Sequence, residues 1–315
     1  MSKIVITIHD ADTCEALHLD YIYRMRFISD TDLILNADGS VYHLNLLPGD
    51  IADTIILVGD PERVPQVSRH FDTIDLKKGK REFITHTGVM RGKRLSVVST
   101  GIGTDNIDIV LNELDALVNI DLDTRMVKGE LNQLNLIRIG TSGAVQADIP
   151  IDSLLVSSAA IGLDSLMHYY KRETSAADEE LLAAFSKSLN GSGSVLPYFA
   201  AGSRELISIL GNGFKQGITI TAPGFYAPQG RSVRVASAVP QFFEVINQFE
   251  YKGQRITNLE METAGIYGMA AVLGHRAISF NVILANRATN VFSRTPAETM
   301  ERFIGEVLDR VVEYT

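Results

Sequence analysis

The sequence predicts a single-domain α/β fold around a largely parallel or mixed sheet, and three observations support this prediction. Stretches typical of strands and of helices alternate through most of the 315 residues, which is the pattern of α/β folds. No linker rich in proline, glycine or serine interrupts the chain, and no internal repeat is found. Hydrophobic residues make up 45% and charged residues 21% of the chain, a composition that can fill one large core.

The first two predicted strands are each followed by a glycine-containing turn and a helix. Thr54 to Val58 is a short β-branched apolar run, as expected for a strand that is buried on both faces. Asp60 and Pro61 then supply an N-cap and a first helical residue. Leu95 to Ser99 predicts the second strand, and apolar positions at helical spacing follow from Ile107.

Further strands and a C-terminal helix complete the predicted fold. The strand Leu134 to Ile139 ends in the small loop Gly140-Thr141-Ser142-Gly143. Three more strands are predicted at Ser153 to Ala160, Gly217 to Ala222 and Ala277 to Leu284. The segment Thr295-Pro296-Ala297-Glu298 has the form of a capping box, and an apolar stripe at helical spacing follows it.

Two regions look like additions to this fold. Residues 1–40 carry only a weak hydrophobic pattern, and we expect them to form an N-terminal extension to a domain at residues 41–315. The stretch Asn119 to Gln133 is polar and charged, which predicts a surface extension of the second helix.

Composition excludes several classes of function. The formal charge is −9, with 38 acidic against 29 basic residues, whereas nucleic-acid binders usually carry a basic face. The single cysteine, Cys14, leaves no intramolecular disulfide and no cysteine-based zinc cluster. No apolar run reaches the roughly 18 residues of a transmembrane helix, and early acidic residues disfavour a secretory signal. We therefore expect a cytoplasmic protein without nucleic-acid or membrane partners.

Common catalytic and cofactor motifs are absent from the sequence. There is no G-x-S-x-G elbow, no H-E-x-x-H pair and no Walker A loop. Gly101-Ile102-Gly103 begins a dinucleotide-like pattern, but Asn106 stands where the third glycine would be. We therefore predict no cofactor, since a glycine turn after a buried strand needs no ligand to explain it.

Two arginines lie where an α/β sheet collects its ligands. Arg63 follows the first glycine turn, and Arg138 lies inside an apolar strand just before Gly140. Ligands bind at the carboxyl ends of the strands in such sheets, and guanidinium groups suit phosphate through paired hydrogen bonds. Burying an arginine is costly unless an anion or a carboxylate pairs with it. Two interpretations of Arg138 stay open, a phosphate ligand and a structural ion pair with a core carboxylate.

Two further groups of residues carry chemistry. Glu260 and Glu262 point the same way if they end a strand, and a carboxylate there could hold the vicinal hydroxyls of a sugar. The alternative is an acidic first helical turn that is stabilised by the helix dipole. The loop Phe225 to Arg231 offers two aromatics, the amide of Gln229 and the guanidinium of Arg231 to a planar heterocycle. The alternative is an ordinary surface loop.

These motifs, in this order and spacing, closely resemble the uridine phosphorylase branch of the nucleoside phosphorylase family from about Val41 to the C-terminus. The resemblance implies a three-layer α/β/α phosphorylase-type fold around a mixed, partly barrel-like sheet, with residues 41–315 as the nucleoside phosphorylase domain. It implies the phosphorolysis of uridine to uracil and α-ribose 1-phosphate, with deoxyuridine as an open second substrate. Inorganic phosphate is then the co-substrate, and no cofactor takes part.

The resemblance also assigns the site, motif by motif. The phosphate-binding residues it implies are Gly59, Arg63, Arg81, Arg138 and Thr141. The ribose-binding residues are His43, Met261 and Glu262. The base-binding residues are Ser142, Gly143, Phe225, Gln229, Arg231, Glu260 and Arg287. Arg231, Gln229 and Glu262 are the ones expected to contribute directly to catalysis.

The absence of an aspartate near the late strand predicts whether the nucleoside is a purine or a pyrimidine. Purine-cleaving relatives place an aspartate after the late strand to protonate the purine N7, whereas this chain has Leu284-Ala285-Asn286-Arg287 there. A pyrimidine has no N7, and its cleavage is instead helped by stabilising the negative charge that develops on its carbonyls. Asn286 and Arg287 can do this together with Gln229 and Arg231, which favours uridine. A purine nucleoside phosphorylase, a nucleosidase and a nucleoside-binding module without turnover remain as alternatives.

The resemblance further implies a homo-oligomer, either a dimer or a hexamer built as a trimer of dimers. His43 and Arg81 are then lent across the dimer interface to the neighbouring site. Some bacterial relatives hold a monovalent cation between subunits, and Glu82 keeps the carboxylate of that site while Asn106 replaces its serine. No other metal is expected.

Overall fold

A mixed sheet of twelve strands organises the computed structural model, which describes residues 27–189 and 196–314. Most of the predicted N-terminal extension, with Cys14, lies outside the described residues. The strands are β1 Thr54–Val58, β2 Thr73–Lys80, β3 Phe83–Met90, β4 Lys93–Ser99, β5 Ile120–Asp121, β6 Met126–Val127, β7 Asn135–Ala144, β8 Ser153–Gly162, β9 Tyr198–Ala201, β10 Lys215–Thr221, β11 Glu250–Tyr251, β12 Gln254–Glu260, β13 Arg276–Asn286 and β14 Val291–Phe292. The helices are α1 Arg63–Ser68, α2 Thr104–Asn119, α3 Ala176–Ser188, α4 Arg204–Leu210, α5 Phe242–Gln248, α6 Thr263–Leu273 and α7 Pro296–Tyr314, with 3₁₀ turns at Leu166–His168 and Ala227–Gln229.

The sheet closes on itself over part of its width. Its strand order is β11-β12-β10-β8-β13-β7-β1-β4-β3-β2, with β9 beside β8 and β14 beside β13. Strand β12 also pairs antiparallel with β7, through Asn258 opposite Ala144 and Leu259 opposite Gly143. This pairing joins β7, β13, β8, β10 and β12 into a ring, which confirms the predicted mixed, partly barrel-like sheet.

Helices cover both faces of the sheet, as predicted for three layers. In β1, Ile55 and Leu57 pack against α2 and α6, whereas Ile56 and Val58 pack against α1 and α7. Because side chains alternate along a strand, an apolar run of this kind needs a cover on each side. The buried stripe of α7, from Met300 to Val311, supplies much of the second cover.

The strands predicted from apolar runs are all present, and three local predictions are wrong. Gly140 to Gly143 belong to β7 instead of a loop, because β12 and β13 supply hydrogen-bonding partners for them. Helix α1 begins at Arg63, since Asp60 uses its carboxylate in a tight turn with the amide of Glu62, 2.9 Å away. The stretch after Asn119 forms the β5–β6 hairpin and does not extend α2.

No helix within the described ranges is both long and apolar enough to cross a lipid bilayer.

Candidate active site

A cavity of about 700 Å³ opens at the carboxyl ends of the central strands. It brings together residues from all three predicted groups, although they lie far apart in the chain, from Gly59 to Glu262. The predicted site residues that line it are Gly59, Arg63, Arg138, Thr141, Ser142, Gly143, Phe225, Gln229, Arg231, Glu260, Met261 and Glu262. His43, Arg81 and Arg287 do not line it.

Arg138 lies at the floor of this cavity between two carboxylates. Its Nη2 is 2.9 Å from Oε2 of Glu260 and 2.7 Å from Oε2 of Glu262, and the residue is 5% exposed. Burial opposes the charge, but the two carboxylates outweigh it and raise the pKa of Arg138. A Cβ at Gly140 would overlap the guanidinium, so any other residue there would displace Arg138 from its two carboxylates. Of the two interpretations of Arg138, the structural ion pair is therefore present in the structure. The same side chain also lines the cavity.

The carboxylate of Glu260 caps helix α6. It accepts hydrogen bonds from the amides of Glu262 at 3.0 Å and Thr263 at 2.9 Å, and from the hydroxyl of Thr221 at 2.7 Å. Glu260 nevertheless ends strand β12, and the first turn of α6 contains no acidic residue, so the alternative of an acidic first helical turn is wrong. Because its oxygens are already bonded, Glu260 serves first to fix the turn that carries Met261 and Glu262.

Glu262 is held from two sides. Its Oε1 accepts from the backbone amide of Gly103 at 2.9 Å, and its Oε2 accepts from Arg138 at 2.7 Å. Burial raises the pKa of Glu262, and Arg138 opposes that shift. The φ of Gly103 is 92°, in the left-handed region that favours glycine. The glycine turn that resembled a dinucleotide motif therefore orients Glu262, a role that the sequence reasoning missed.

Arg63 lines the cavity beside Arg138 but has no carboxylate within ion-pair distance among the described residues. It is half-buried, and its one hydrogen bond runs from Nη1 to the carbonyl of Ile139 at 3.5 Å. Burial lowers the pKa of Arg63, an effect that nearby Asp60 partly offsets. A half-buried guanidinium with most of its donors unused is suited to an anion.

Gln229 and Arg231 form the opposite wall with Phe225. Gln229 is 2% exposed, and its Oε1 accepts from Nη1 of Arg231 at 2.5 Å. The guanidinium also donates to the carbonyl of Phe225 and lies 3.9 Å from the centre of that ring. Burial, followed by the neighbouring charge of Arg287, lowers the pKa of Arg231 to about 10. The charged form is thus held at an electrostatic cost that an anionic partner would relieve.

Arg287 supports this wall from behind. Its guanidinium donates to the carbonyls of Gln229 and Gly230 and lies 4.9 Å from the ring centre of Phe243. Asn286 donates to the carbonyls of Gln146 and Ile149. In this geometry both residues position backbone, and the base contact expected of Arg287 stays a prediction.

His43 and Arg81 lie outside the cavity of their own chain. The Nδ1 of His43 is 2.6 Å from Oε1 of Glu113. The carboxylate of Glu113 also accepts hydrogen bonds from the backbone amides of His43 and Leu44. Arg81 is exposed in the turn between β2 and β3, with a φ of 57°. Glu82 and Asn106 line the cavity rim, and the described part of the chain holds no cluster of three or more potential metal ligands from histidine, cysteine, aspartate and glutamate.

Comparison with known proteins defines the class of this protein. Residues 53–313 match the Phosphorylase superfamily, and the chain belongs to that family.

The similar proteins include enzymes named for uridine and others named for purine nucleosides. The chain is 32% identical to the uridine phosphorylase of Thermococcus kodakarensis, over 88% of each protein. It is 28% identical to a DeoD-type purine nucleoside phosphorylase of Shewanella denitrificans, over 75% of this chain and 82% of that protein. The crystal structure of a Trypanosoma brucei nucleoside phosphorylase, described as showing uridine phosphorylase activity, is similar with a TM-score of 0.81 and 29% identity. That match covers 90% of this chain and all of the other.

Proposed function

We propose that this protein catalyses the phosphorolysis of uridine, giving uracil and α-ribose 1-phosphate. The observation that carries the proposal is the hydrogen-bonded pair of buried Gln229 and half-buried Arg231, which lines the same cavity as Arg63, Arg138 and Glu262. One wall thus offers hydrogen-bonding groups to a planar imide, and the other offers cations to an anion. Family membership supports a pentosyltransferase reaction between a nucleoside and phosphate.

The base site suits uracil because both partners have alternating donors and acceptors. The uracil edge presents a carbonyl, an N–H and a second carbonyl. The amide of Gln229 can donate to one carbonyl and accept from the N–H, while Arg231 donates to the other carbonyl. The segment Leu284 to Arg287 has no carboxylic acid that could protonate a purine N7, which favours a pyrimidine.

We assign the sugar to Glu262 and the co-substrate to the arginine side. Glu262, fixed by Gly103 and Arg138, would accept from the ribose hydroxyls, with Met261 against the sugar. Arg63 and Arg138, with Gly59 and Thr141, would hold the phosphate dianion. The reaction that we propose needs no cofactor, and we propose a cytoplasmic location for it.

In the proposed reaction the glycosidic C–N bond breaks first and its electron pair moves onto uracil. Phosphate oxygen then attacks the anomeric carbon of the oxocarbenium-like sugar from the opposite face, forming the new C–O bond. Arg231 stabilises the uracil anion, so its contribution is electrostatic. The proton that hydrogen phosphate loses on becoming the ester is balanced by the proton that the uracil anion takes up to leave as uracil. Holding phosphate and nucleoside in line supplies much of the remaining acceleration, and no protein nucleophile is needed.

The proposed function is tested by base release from uridine and inosine, each with and without phosphate. We expect uracil from uridine only when phosphate is present, measured by chromatography of the free base. Release from inosine alone would instead indicate a purine nucleoside phosphorylase, a name that one relative carries. Release without phosphate would indicate a nucleosidase, and uridine binding without any release would indicate a binding module.

Replacing Arg231 by alanine is expected to lower kcat for uridine by about 10²-fold, by analogy with losing one oxyanion donor. The departing uracil anion would then lack its charged partner. Steady-state kinetics at saturating phosphate provide the measurement. Arg234→Ala is a matched control, because Arg234 is exposed on the same loop and does not line the cavity. Full activity of Arg231→Ala would contradict the assignment of the base site.

Mixing two inactive variants tests whether Arg81 serves a neighbouring subunit. We propose a homo-oligomer, a dimer or a trimer of dimers, in which Arg81 and His43 complete the partner's site. Arg63→Met and Arg81→Ala should each be nearly inactive, yet refolding them together in equal amounts should restore about a quarter of wild-type activity, since half of randomly formed dimers are mixed and each has one intact site. No recovery in the mixture would exclude a shared site.

A further inference from the structure

A series of hydrogen bonds runs around the inside of the ring of strands. Each strand of the ring contributes one buried polar side chain, in the order in which the strands pair. These side chains are Arg138 of β7, Asn281 of β13, Ser157 of β8, Thr219 of β10 and Asn258 of β12. Asn258 then reaches Ser142, which lies on β7 like Arg138. Arg138 and Ser142 both line the catalytic cavity, so the series begins and ends there.

Asn281 is the member of the series that contacts Arg138. Its Oδ1 accepts from Nη1 of Arg138 at 3.1 Å, and its Nδ2 donates to the hydroxyl of Ser157 at 2.8 Å. A guanidinium has donors and no acceptor, so the carbonyl end of the amide faces Arg138 and the amino end faces Ser157. Asn281 is fully buried, and only this orientation of its amide satisfies both ends.

The remaining members hold the amide of Asn281 in that orientation. The Ser157 hydroxyl accepts from Asn281 and therefore donates to the hydroxyl of Thr219, 2.5 Å away. Thr219 donates to Oδ1 of Asn258 at 2.9 Å, and Nδ2 of Asn258 donates to the hydroxyl of Ser142 at 2.7 Å. Because every member is satisfied, this buried polar network is rigid.

The bond to Asn281 fixes the half of the Arg138 guanidinium that the carboxylates leave free. Glu260 and Glu262 both lie against Nη2, so the ion pair alone would let the guanidinium plane turn about that nitrogen. Among the described residues, Nη1 has two partners, Asn281 at 3.1 Å and the hydroxyl of Ser279 at a longer 3.4 Å. Asn281 is therefore the main contact that sets the angle of the plane.

We propose that Asn281 is a positioning residue, which acts through Arg138 without touching either substrate. This inference rests on the proposed function, in which Arg138 binds phosphate. Asn281 does not line the cavity, so its effect on the substrates has to pass through the guanidinium. Without the carbonyl of Asn281, Nη1 loses its shorter hydrogen bond and the guanidinium leaves the angle that serves phosphate.

Asn281→Ala tests the proposal in the intact protein. We expect the KM for phosphate to rise about tenfold, as for losing one hydrogen bond to a charged group. The KM for uridine should change less, because Gln229 and Arg231 hold the base from another wall of the cavity. Initial rates at varied phosphate and at varied uridine give both constants.

Asn119→Ala is the matched control, because Asn119 is a buried asparagine whose amide is bonded at both ends outside the cavity. It is 3% exposed, donates to Asp115 at 2.6 Å and accepts from the backbone amide of Asn132 at 2.6 Å. Its loss should lower the stability to urea and leave the KM for phosphate at the wild-type value.

An unchanged KM for phosphate in Asn281→Ala, with or without a fall in kcat, would overturn the proposal. A purely structural role lowers the amount of active enzyme and leaves its KM values alone. If Asn281→Ala does not fold, Ser157→Ala decides in the same way, since it removes the group that holds the amide of Asn281. It should raise the KM for phosphate by a smaller factor, and an unchanged value would again overturn the proposal.

Phosphate binding can also be measured without turnover, from the rise in Tm that added phosphate produces. Asn281→Ala should need more phosphate than wild type or Asn119→Ala for the same rise. A wild-type protein that is inactive on uridine but stabilised by phosphate would contradict the proposed function alone, and this comparison would still decide the role of Asn281.

Discussion

Replacing Arg138 by methionine is expected to lower the free energy of unfolding by about 3–5 kcal/mol, as for breaking a buried ion pair. The substitution leaves the buried carboxylates of Glu260 and Glu262 without their shared cation. Their mutual repulsion acts at the start of α6 and at the Gly103 turn, so turnover should be lost as well. Urea unfolding followed by circular dichroism gives the change in stability.

Arg63→Met is the matched control for this prediction. It makes the same substitution in the same cavity, but Arg63 has no carboxylate within ion-pair distance in the described ranges. Its free energy of unfolding should therefore stay within about 1 kcal/mol of wild type. Equal stabilities for the two variants would mean that the ion pair contributes nothing to the fold.

The same Arg63→Met variant is expected to lose about 10²–10³-fold in kcat/KM for phosphate, which is the range for removing one charge-stabilising donor from an active site. On the proposed phosphate side of the cavity, the donors of Arg63 are not committed to carboxylates, whereas Arg138 is shared with two. Initial rates at saturating uridine and varied phosphate separate this effect from a loss of nucleoside binding.

Arg69→Met provides the comparison for the kinetic effect. Arg69 follows α1 directly and pairs with Glu301, away from the cavity. Its phosphate dependence should match wild type. If Arg63→Met kept the wild-type KM for phosphate, the anion site would have to lie elsewhere in the cavity.

The sequence predicted the fold wherever a local pattern reflects burial. The run Thr54 to Val58 is apolar at every position because helices cover both faces of β1. The prediction failed where the local structure depends on pairing with segments that are distant in the chain. Gly140 to Gly143 have two glycines and weak strand propensity overall, and they become strand through β12 and β13, more than a hundred residues later. The β5–β6 hairpin was missed because its two short strands bury little.

Most of the residues expected in the site do line the cavity, but the hydrogen bonds among them were not predicted. The sequence offered phosphate binding and an ion pair as alternatives for Arg138, whereas the geometry combines an ion pair with a place in the cavity wall. Arg287 was expected to contact the base, but in the structure it donates to the carbonyls of Gln229 and Gly230. These carbonyls belong to an irregular loop, whose conformation cannot be predicted from hydrophobic periodicity. Such contacts arise only when distant segments meet.

The closed ring of strands restricts how the length of this chain can change. A residue added to a strand that pairs on both sides within a ring must be absorbed in a β-bulge or turn the side chains beyond it to the opposite face. Strand β13 has one such irregularity, between Ile283 and Ala285. In β7, a change of face would move Arg138 away from Glu262. Insertions and deletions are therefore expected mainly in connections outside the ring, such as the β5–β6 hairpin and the loop that follows β10. Length differences between relatives should collect there, at the rim, while the floor of the cavity keeps its spacing.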